Sequence, residues 1–183
     1  MKADITPQEY EAFKKFLQDA SGILLGDNKQ YLVKSRLRRL LEDNGMDSLG
    51  DLLGRLQRPG SAQLRETVID AMTTNETLWF RDTHPFRILS EKLMPELAAR
   101  NSTQPLRIWS AACSTGQEPY SIAMVIEEYK RFQPGRLKSD VRIVATDISR
   151  PVLETAKRGE YEMLALGRGL SPERQRHFFS SLP

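Results

Sequence analysis

The stretch SAACSTGQEPYS, residues 110–121, contains residue types that could bind a small molecule. It follows the apolar run LRIW and precedes a helical pattern, and a loop in that position of a parallel sheet commonly holds a nucleotide. However, its single glycine, Gly116, matches neither the G-x-G-x-x-G of dinucleotide loops nor the G-K-[ST] of Walker loops. Glu118 also places a negative charge where a pyrophosphate would be repelled. The loop therefore favours a ligand without phosphates.

A second acidic residue, Asp147, ends the apolar run VRIVATD. A carboxylate at the end of a second strand commonly accepts hydrogen bonds from ribose hydroxyls. S-adenosylmethionine has a ribose and an adenine, lacks phosphates and is positively charged near its sulfonium and amino groups, so it fits an acidic loop. The alternative is that Glu118 only starts a helix, where the helix dipole favours a carboxylate by about 0.3–1 kcal/mol.

The stretch TTNETLWFRD, residues 73–82, is polar, then aromatic, then charged, without a clean period. One interpretation is a connector whose Trp79 and Phe80 fill a core. The other is a segment over the mouth of the cofactor site, in which Asn75 and Thr77 donate hydrogen bonds and Arg81 faces a substrate anion. Both interpretations can hold together, because the aromatic residues can anchor while the polar ones bind.

Two regions with different hydrophobic periodicity must position these residues. Residues 1–72 are predicted to form an all-α domain, with a capping box at Thr6 and Glu9 and a further N-cap at Asp27. The apolar residues expected to face its core are Tyr10, Phe13, Leu17, Ala20, Val33, Leu37, Leu40, Leu41, Leu49, Leu52, Leu53, Leu56, Leu64, Val68 and Met72.

The remaining residues read as a connector followed by an α/β domain. A connector with the polar–aromatic segment and a helix is predicted at 73–104, the helix being broken near Pro95. Two strand–helix units follow, with the helices at 117–131 and 150–158, and predict a parallel sheet within residues 105–183. The fold class is therefore α/β with an all-α N-terminal domain, the sheet being Rossmann-like and only partly present.

Composition limits the function classes. The 183 residues carry a net charge of +3 and one cysteine, so an internal disulfide is impossible and a cytoplasmic location is the simplest expectation. No apolar run of signal-peptide or membrane-spanning length is evident. Cys113 has no evident histidine partner and is predicted to be a small packed residue. Neither His84 nor His177 has another histidine or a cysteine close to it in the sequence, so no metal is expected.

The segment NKQYLVKSRLRRLLE carries several basic residues on a predicted helix. The common interpretation of such a run is a solvated face. The functional interpretation is a dock for an acidic partner, with Lys34, Arg36, Arg38 and Arg39 as the candidates. A non-enzymatic nucleic-acid-binding module is the rival, although the small net charge argues against it.

Three motifs in order, TTNETLWFRDTHPF, WSAACSTGQEPYSIAM and VATDIS, resemble the CheR-type chemotaxis receptor methyltransferases. The resemblance implies a signal-transduction enzyme that methylates glutamate side chains on the cytoplasmic methylation helices of bacterial chemoreceptors, using S-adenosylmethionine and releasing S-adenosylhomocysteine. The absence of a long apolar run and the small net charge predict in addition no membrane insertion and no nucleic-acid partner. A methyltransferase of another substrate, a small molecule or a nucleic acid, is the alternative enzyme.

The resemblance also assigns residues. Those matching the family's cofactor contacts are Asn75, Thr77, Arg81, Glu118 and Asp147, and Arg81 also matches its proposed catalytic arginine. The resemblance also implies a longer protein, whose further part holds more strands, a β-subdomain that grips a receptor's C-terminal peptide, and further cofactor contacts. A two-strand sheet leaves edges and apolar faces uncovered, so we expect either self-association or a place in a longer polypeptide.

Overall fold

The computed structural model describes residues 4–100 and 104–181. They form two compact units, which divide between Thr74 and Asn75. The described part of the predicted connector belongs to the second unit from Asn75 onward. No helix in the described ranges combines the length and the apolar character needed to cross a bilayer.

The first unit is a small helical bundle. Its helices are α1 (Pro7–Ser21), α2 (Gln30–Asp43), α3 (Leu49–Leu56) and α4 (Ala62–Met72). Each contributes an apolar face to one core, as the helical spacing predicts, and Met46 of the α2–α3 turn joins it. Among the predicted core residues, Leu53 and Leu64 are only partly buried at its margin.

The beginnings of the helices were partly predictable. The Thr6 hydroxyl accepts the Glu9 N–H at 3.2 Å and the Glu9 carboxylate accepts the Thr6 N–H at 2.9 Å, which confirms the capping box. The predicted N-cap at Asp27 is wrong, because α2 begins after Lys29. The Asp27 carboxylate instead pairs with the ammonium of Lys14 at 2.7 Å.

The second unit is α/β. Its elements are α5 (His84–Ile88), a π-helical turn (Leu89–Leu93), α6 (Met94–Ala99), β1 (Leu106–Ala111), α7 (Gln117–Phe132), β2 (Val141–Thr146), α8 (Arg150–Arg158), α9 (Met163–Leu166) and α10 (Pro172–Phe178). The irregularity predicted near Pro95 takes the form of that π-helical turn. Proline has no N–H to donate to the carbonyl of Glu91, which loosens the turn before it.

Among the described residues, β1 and β2 form one parallel sheet, with Leu106 opposite Val141 and Ala111 opposite Thr146. The carboxyl ends of both strands therefore meet at one edge. On one face Trp109 and Val144 are 71% and 54% exposed. Self-association through this sheet stays a prediction.

A cluster around Trp79 and Phe80 forms the core of the second unit. Trp79 is fully buried, and its ring makes edge contacts with Tyr161 and Phe179, at centroid distances of 4.9 and 5.4 Å. The prediction that these two aromatic residues fill a core is confirmed. The segment that carries Asn75, Thr77 and Arg81 is thereby anchored from within.

Candidate functional site

The loop between β1 and α7 turns sharply. Ala112, Ser114 and Gly116 have φ angles of 58°, 50° and 98°, in the left-handed region that suits glycine and that other residues adopt at a cost. The turn directs main-chain N–H groups to protein acceptors: Cys113 donates to the Thr146 carbonyl at 3.0 Å, and Gly116 to the Cys113 carbonyl at 3.0 Å. These N–H groups are not available to cradle a phosphate.

Gly116 serves close packing. A Cβ atom built there would lie 2.8 Å from the Tyr161 hydroxyl oxygen and 3.0 Å from the Ala156 Cβ. The Tyr161 hydroxyl donates to the Thr115 carbonyl at 2.6 Å, and burial raises the pKa of Tyr161, which keeps the hydroxyl protonated as a donor. The glycine therefore lets α8 and Tyr161 press against the loop.

Asp147 is fixed at the carboxyl end of β2. Its Oδ2 accepts the Ser114 N–H at 2.8 Å and its Oδ1 accepts the Ser149 N–H at 2.9 Å. Each carboxylate oxygen has two lone pairs, so each keeps acceptor capacity after these bonds. The result is an immobilised, half-buried carboxylate that can still accept hydrogen bonds from a diol.

Glu118 lies in the first turn of α7, beyond the end of β1. The hydroxyl of buried Ser110 donates to Glu118 Oε1 at 2.6 Å. Burial raises the pKa of the neighbouring Cys113 thiol, and the charges of Asp147 and Glu118 raise it further. Both carboxylates thus act on one small region, and Cys113 stays a neutral, packed thiol, as predicted.

The segment 75–81 is held against this loop. The Ser114 hydroxyl donates to the Asn75 carbonyl at 2.8 Å, and the Phe80 N–H donates to the Ser121 hydroxyl at 3.1 Å. The Trp79 N–H donates to the Arg168 carbonyl at 3.1 Å. The structure thus brings Asn75 next to Asp147, through Ser114.

Arg81 and Thr77 are placed differently. The Arg81 side chain is exposed and donates to the Glu76 carbonyl at 3.2 Å, within its own segment, and Thr77 is half-buried. No hydrogen bond among the described residues joins either side chain to Asn75, Glu118 or Asp147. Their predicted cofactor contacts, like those of the other three residues, stay predictions.

The basic residues of α2 fall into two groups. Lys34, Arg38 and Arg39 are exposed and form ion pairs on the surface of the first unit. Their partners are Asp4 at 2.7 Å, Glu42 at 3.1 Å and Asp43 at 3.7 Å, respectively. Exposed pairs of this kind contribute little free energy of folding, so their cations can exchange partners cheaply.

Arg36 has a structural task. Its Nη1 donates to the carbonyls of Met72 at 2.5 Å and Thr73 at 3.2 Å, and its Nη2 donates to the Thr74 hydroxyl at 2.8 Å. These bonds satisfy carbonyls at the C-terminal end of α4. The guanidinium is half-buried and engaged within the unit, which differs from the docking role predicted for it.

Sequence reasoning missed Ser110 and Ser114, although both lie in the quoted loop. A serine hydroxyl there could have been recognised as a polar group at a strand end. Its partner could not be recognised, because Ser114 contacts residues 39 positions before it and 33 after it. No cluster of metal-ligating side chains is found in the part of the chain that the structure describes.

The chemistry of this donor set fits S-adenosylmethionine. The charges of Asp147 and Glu118 both act on Cys113, at the edge of the sheet where ligands bind, and the N–H groups of Cys113, Ser114 and Gly116 already have protein acceptors. A diol and a positive charge suit the two carboxylates. A pyrophosphate would be repelled by their negative charge and would find the loop N–H groups already bonded.

Comparison with known proteins agrees with this assignment. Residues 8–73 match the family model described as CheR methyltransferase, all-alpha domain, and residues 75–182 match the model described as CheR methyltransferase, SAM binding domain. The predicted family, fold class and cofactor are thereby confirmed.

Several relatives are similar over most of the chain. Chemotaxis protein methyltransferase 1 of Pseudomonas aeruginosa is 56% identical over 173 residues, which are 94% of this chain and 63% of the relative. The Vibrio parahaemolyticus chemotaxis protein methyltransferase is 56% identical over 96% of this chain and 62% of its own length. That of Salmonella typhimurium is 38% identical over 90% and 54%.

The chain spans 63% of the length of chemotaxis protein methyltransferase 1 of P. aeruginosa and 62% of the length of chemotaxis protein methyltransferase Cher2 of P. putida. Both family models match, one in each of the two compact units. The chain belongs to the CheR methyltransferase family, and residues 75–182 are its S-adenosylmethionine-binding domain.

Proposed function

We propose that the protein to which this chain belongs transfers the methyl group of S-adenosylmethionine to glutamate side chains of bacterial chemoreceptors, in the cytoplasm. The observation that carries the proposal is the fixed Asp147 carboxylate at the end of β2, next to a loop whose amides are already bonded. The relatives' names, chemotaxis protein methyltransferases, support the receptor as substrate.

The site residues have distinct binding tasks in this proposal. Asp147 accepts hydrogen bonds from the ribose diol, since its oxygens are held in place with lone pairs to spare. Glu118 favours the positively charged end of the cofactor. Asn75 and Thr77 add polar contacts from the anchored segment.

The reaction requires alignment of the glutamate carboxylate with the methyl group rather than a strong general base. Bound S-adenosylmethionine supplies a methyl group on a sulfonium, and S-adenosylhomocysteine is the product. A glutamate carboxylate, with an ordinary pKa near 4.3, is already ionised at neutral pH. Arg81 holds this carboxylate by a charge-assisted hydrogen bond, and holding it at near-attack distance contributes several kcal/mol to catalysis. Arg81 is thus a positioning group, because pairing also stabilises the nucleophile.

The exposed cations of α2 provide the dock. A receptor methylation helix is rich in glutamate, so Lys34, Arg38 and Arg39 meet a surface of opposite charge. Their present ion pairs are exposed and weak, and receptor carboxylates can replace Asp4, Glu42 and Asp43 at little cost.

The test is a methylation assay with labelled S-adenosylmethionine and the cytoplasmic part of a chemoreceptor. It is run with the 183-residue chain and, in parallel, with the chain extended by the part of a relative that it does not cover. Label that enters the receptor and is released by mild base as methanol supports glutamate esters. Label that survives mild base indicates nitrogen or another acceptor and contradicts the glutamate substrate. A mobility-shift assay at matched salt tests the rival nucleic-acid partner.

A further inference from the structure

Ser114 occupies an unusual place in the second unit. It is buried, and its φ of 50° lies in the left-handed region, which a non-glycine residue adopts only at a cost in backbone strain. Glycine would adopt this conformation without that cost. At Ser114 the side chain makes a contact that can offset this strain, which the methyl group of Ala112 in the same loop cannot do.

That contribution is a hydrogen bond to a distant segment. The Ser114 hydroxyl donates to the Asn75 carbonyl at 2.8 Å, while its main-chain N–H donates to Asp147 Oδ2 at 2.8 Å. One residue thus connects the segment before the sheet with the carboxylate after β2. Asn75 and Asp147 are 72 positions apart in the sequence, and both belong to the candidate site.

The segment held by Ser114 has a second attachment further along. The Phe80 N–H donates to the Ser121 hydroxyl, which itself donates to the Gln117 carbonyl at 2.6 Å. The Phe80 ring lies under the Arg174 guanidinium at 3.9 Å, and Arg174 forms a two-pronged ion pair with Glu128 at 2.7 and 2.9 Å. The far end, next to Arg81, is thus fixed independently, whereas at the near end the Ser114 bond is accompanied by a long, exposed contact of Arg168 with the Glu76 carboxylate at 3.5 Å.

We propose that Ser114 is a positioning residue of the cofactor site, whose hydroxyl holds the Asn75 end of the segment in register with the Asp147 carboxylate. The inference rests on the proposed function, in which Asn75, Thr77 and Asp147 bind one cofactor. Without the hydroxyl, the segment and the carboxylate move independently, and binding must then order them.

Two substitutions separate this role from a structural one. Ser114→Ala removes the hydroxyl and keeps the backbone cost, whereas Ser114→Gly removes the hydroxyl and relieves that cost. The free energy of unfolding should therefore be lower in the alanine variant than in the glycine variant. If the hydroxyl positions the site, both variants should bind S-adenosylmethionine about 3- to 10-fold more weakly, the usual effect of one lost hydrogen bond.

The control is Ser90→Ala, because the Ser90 hydroxyl donates to the Arg87 carbonyl in its own helical stretch, at 3.1 Å. Affinity is measured by calorimetry on the 183-residue chain. Amide hydrogen exchange of a peptide covering residues 76–80 is followed without ligand, and we expect faster exchange in both Ser114 variants and no change in Ser90→Ala.

The two readouts have separate consequences. Wild-type affinity in both Ser114 variants would overturn the inference while leaving the proposed function intact. Affinity is also measured on the extended chain, and failure of both wild-type chains to bind S-adenosylmethionine would count against the proposed cofactor site. In that case the exchange experiment still decides, because unchanged exchange at residues 76–80 would show that the hydroxyl does not hold the segment.

Discussion

The main-chain N–H of Ser114 donates a hydrogen bond to the Asp147 carboxylate at 2.8 Å, across the carboxyl ends of β1 and β2. The register of the sheet makes this possible, because Ala111 pairs with Thr146 and the two chains leave the sheet side by side. The Cys113 N–H donates to the Thr146 carbonyl just beneath it. The position of the candidate ribose acceptor is therefore set by the backbone of the sheet.

Asp147→Ala should weaken S-adenosylmethionine binding by about 1–3 kcal/mol, the usual cost of losing hydrogen bonds to a charged acceptor. It also leaves the N–H groups of Ser114 and Ser149 without their present acceptor, so the free energy of unfolding should fall. Asp147→Asn keeps one acceptor oxygen and should lose less of both. Calorimetry and urea denaturation on the same samples measure the two effects, and unchanged affinity in a folded Asp147→Ala protein would remove Asp147 from the site.

Arg81→Ala should lower kcat for receptor methylation more than it lowers cofactor affinity, because the proposed task of Arg81 is to hold the substrate carboxylate. The fold should tolerate the change, since the Arg81 side chain is exposed and makes one hydrogen bond within its own segment. Arg131→Ala, at another exposed arginine, is the matched control. Equal losses of turnover and of cofactor affinity would make Arg81 a cofactor residue instead.

Reversing charge on α2 should weaken receptor recognition alone. Arg38→Glu with Arg39→Glu should raise the apparent KM for the receptor and flatten its dependence on salt, because surface charges act mainly on encounter. Cofactor affinity should stay the same. Lys15→Glu with Arg58→Glu makes the same change in net charge elsewhere on the first unit and serves as the control. Identical receptor kinetics for both double variants at low salt would mean that the α2 face is only solvated.

The first unit should owe part of its stability to ionised Glu9. The N–H and hydroxyl of Thr6, and then the Gly50 N–H, donate to this carboxylate and lower its pKa from the ordinary glutamate value in the folded state. A lowered folded pKa means that the stabilisation is present above the unfolded pKa and disappears as the pH falls through the folded pKa. Glu9→Gln should therefore destabilise the chain at pH 7, with a difference from wild type that shrinks as the pH falls below the ordinary glutamate pKa.

Urea denaturation at pH 7 and at about pH 3 measures that difference. Glu11→Gln, at an exposed carboxylate that pairs with Lys14 at 3.0 Å, is the control and should change stability little at pH 7. Thr6→Ala removes the other half of the capping box and should cost about 0.5–2 kcal/mol. A Glu9→Gln difference that is the same at both pH values would contradict the assigned role of Glu9.

Local signals predicted much of the fold. The runs that form β1 and β2 are short, apolar and partly β-branched, which predicts strands. Ser149 and Pro151 mark the start of α8 and Gly159 marks its end, so its bounds at 150 and 158 were predictable. The residues at the strand ends, Glu118 and Asp147, followed from the rule that ligands bind beyond the carboxyl ends of parallel strands.

Contacts between distant residues could not be predicted in this way. The capping of α4 by Arg36 joins residues 36 to 38 positions apart, and the left-handed φ of Ser114 depends on partners from both directions. Asp27 matched an N-cap by residue type, but its ion pair with Lys14 depends on how α1 packs. The Asn75 side chain was predicted as a donor, whereas the structure shows the main-chain carbonyl of Asn75 accepting a hydrogen bond from Ser114.

The central claim is that this loop takes an adenosine with a positively charged tail and not a nucleotide phosphate. Titration of the 183-residue chain with S-adenosylmethionine and with ATP, by calorimetry at one ionic strength, tests it most directly. We predict measurable binding of S-adenosylmethionine and ATP binding weaker by at least about tenfold, since a triphosphate would meet the charges of Glu118 and Asp147. ATP binding as tight as that of S-adenosylmethionine, or tighter, would contradict the account.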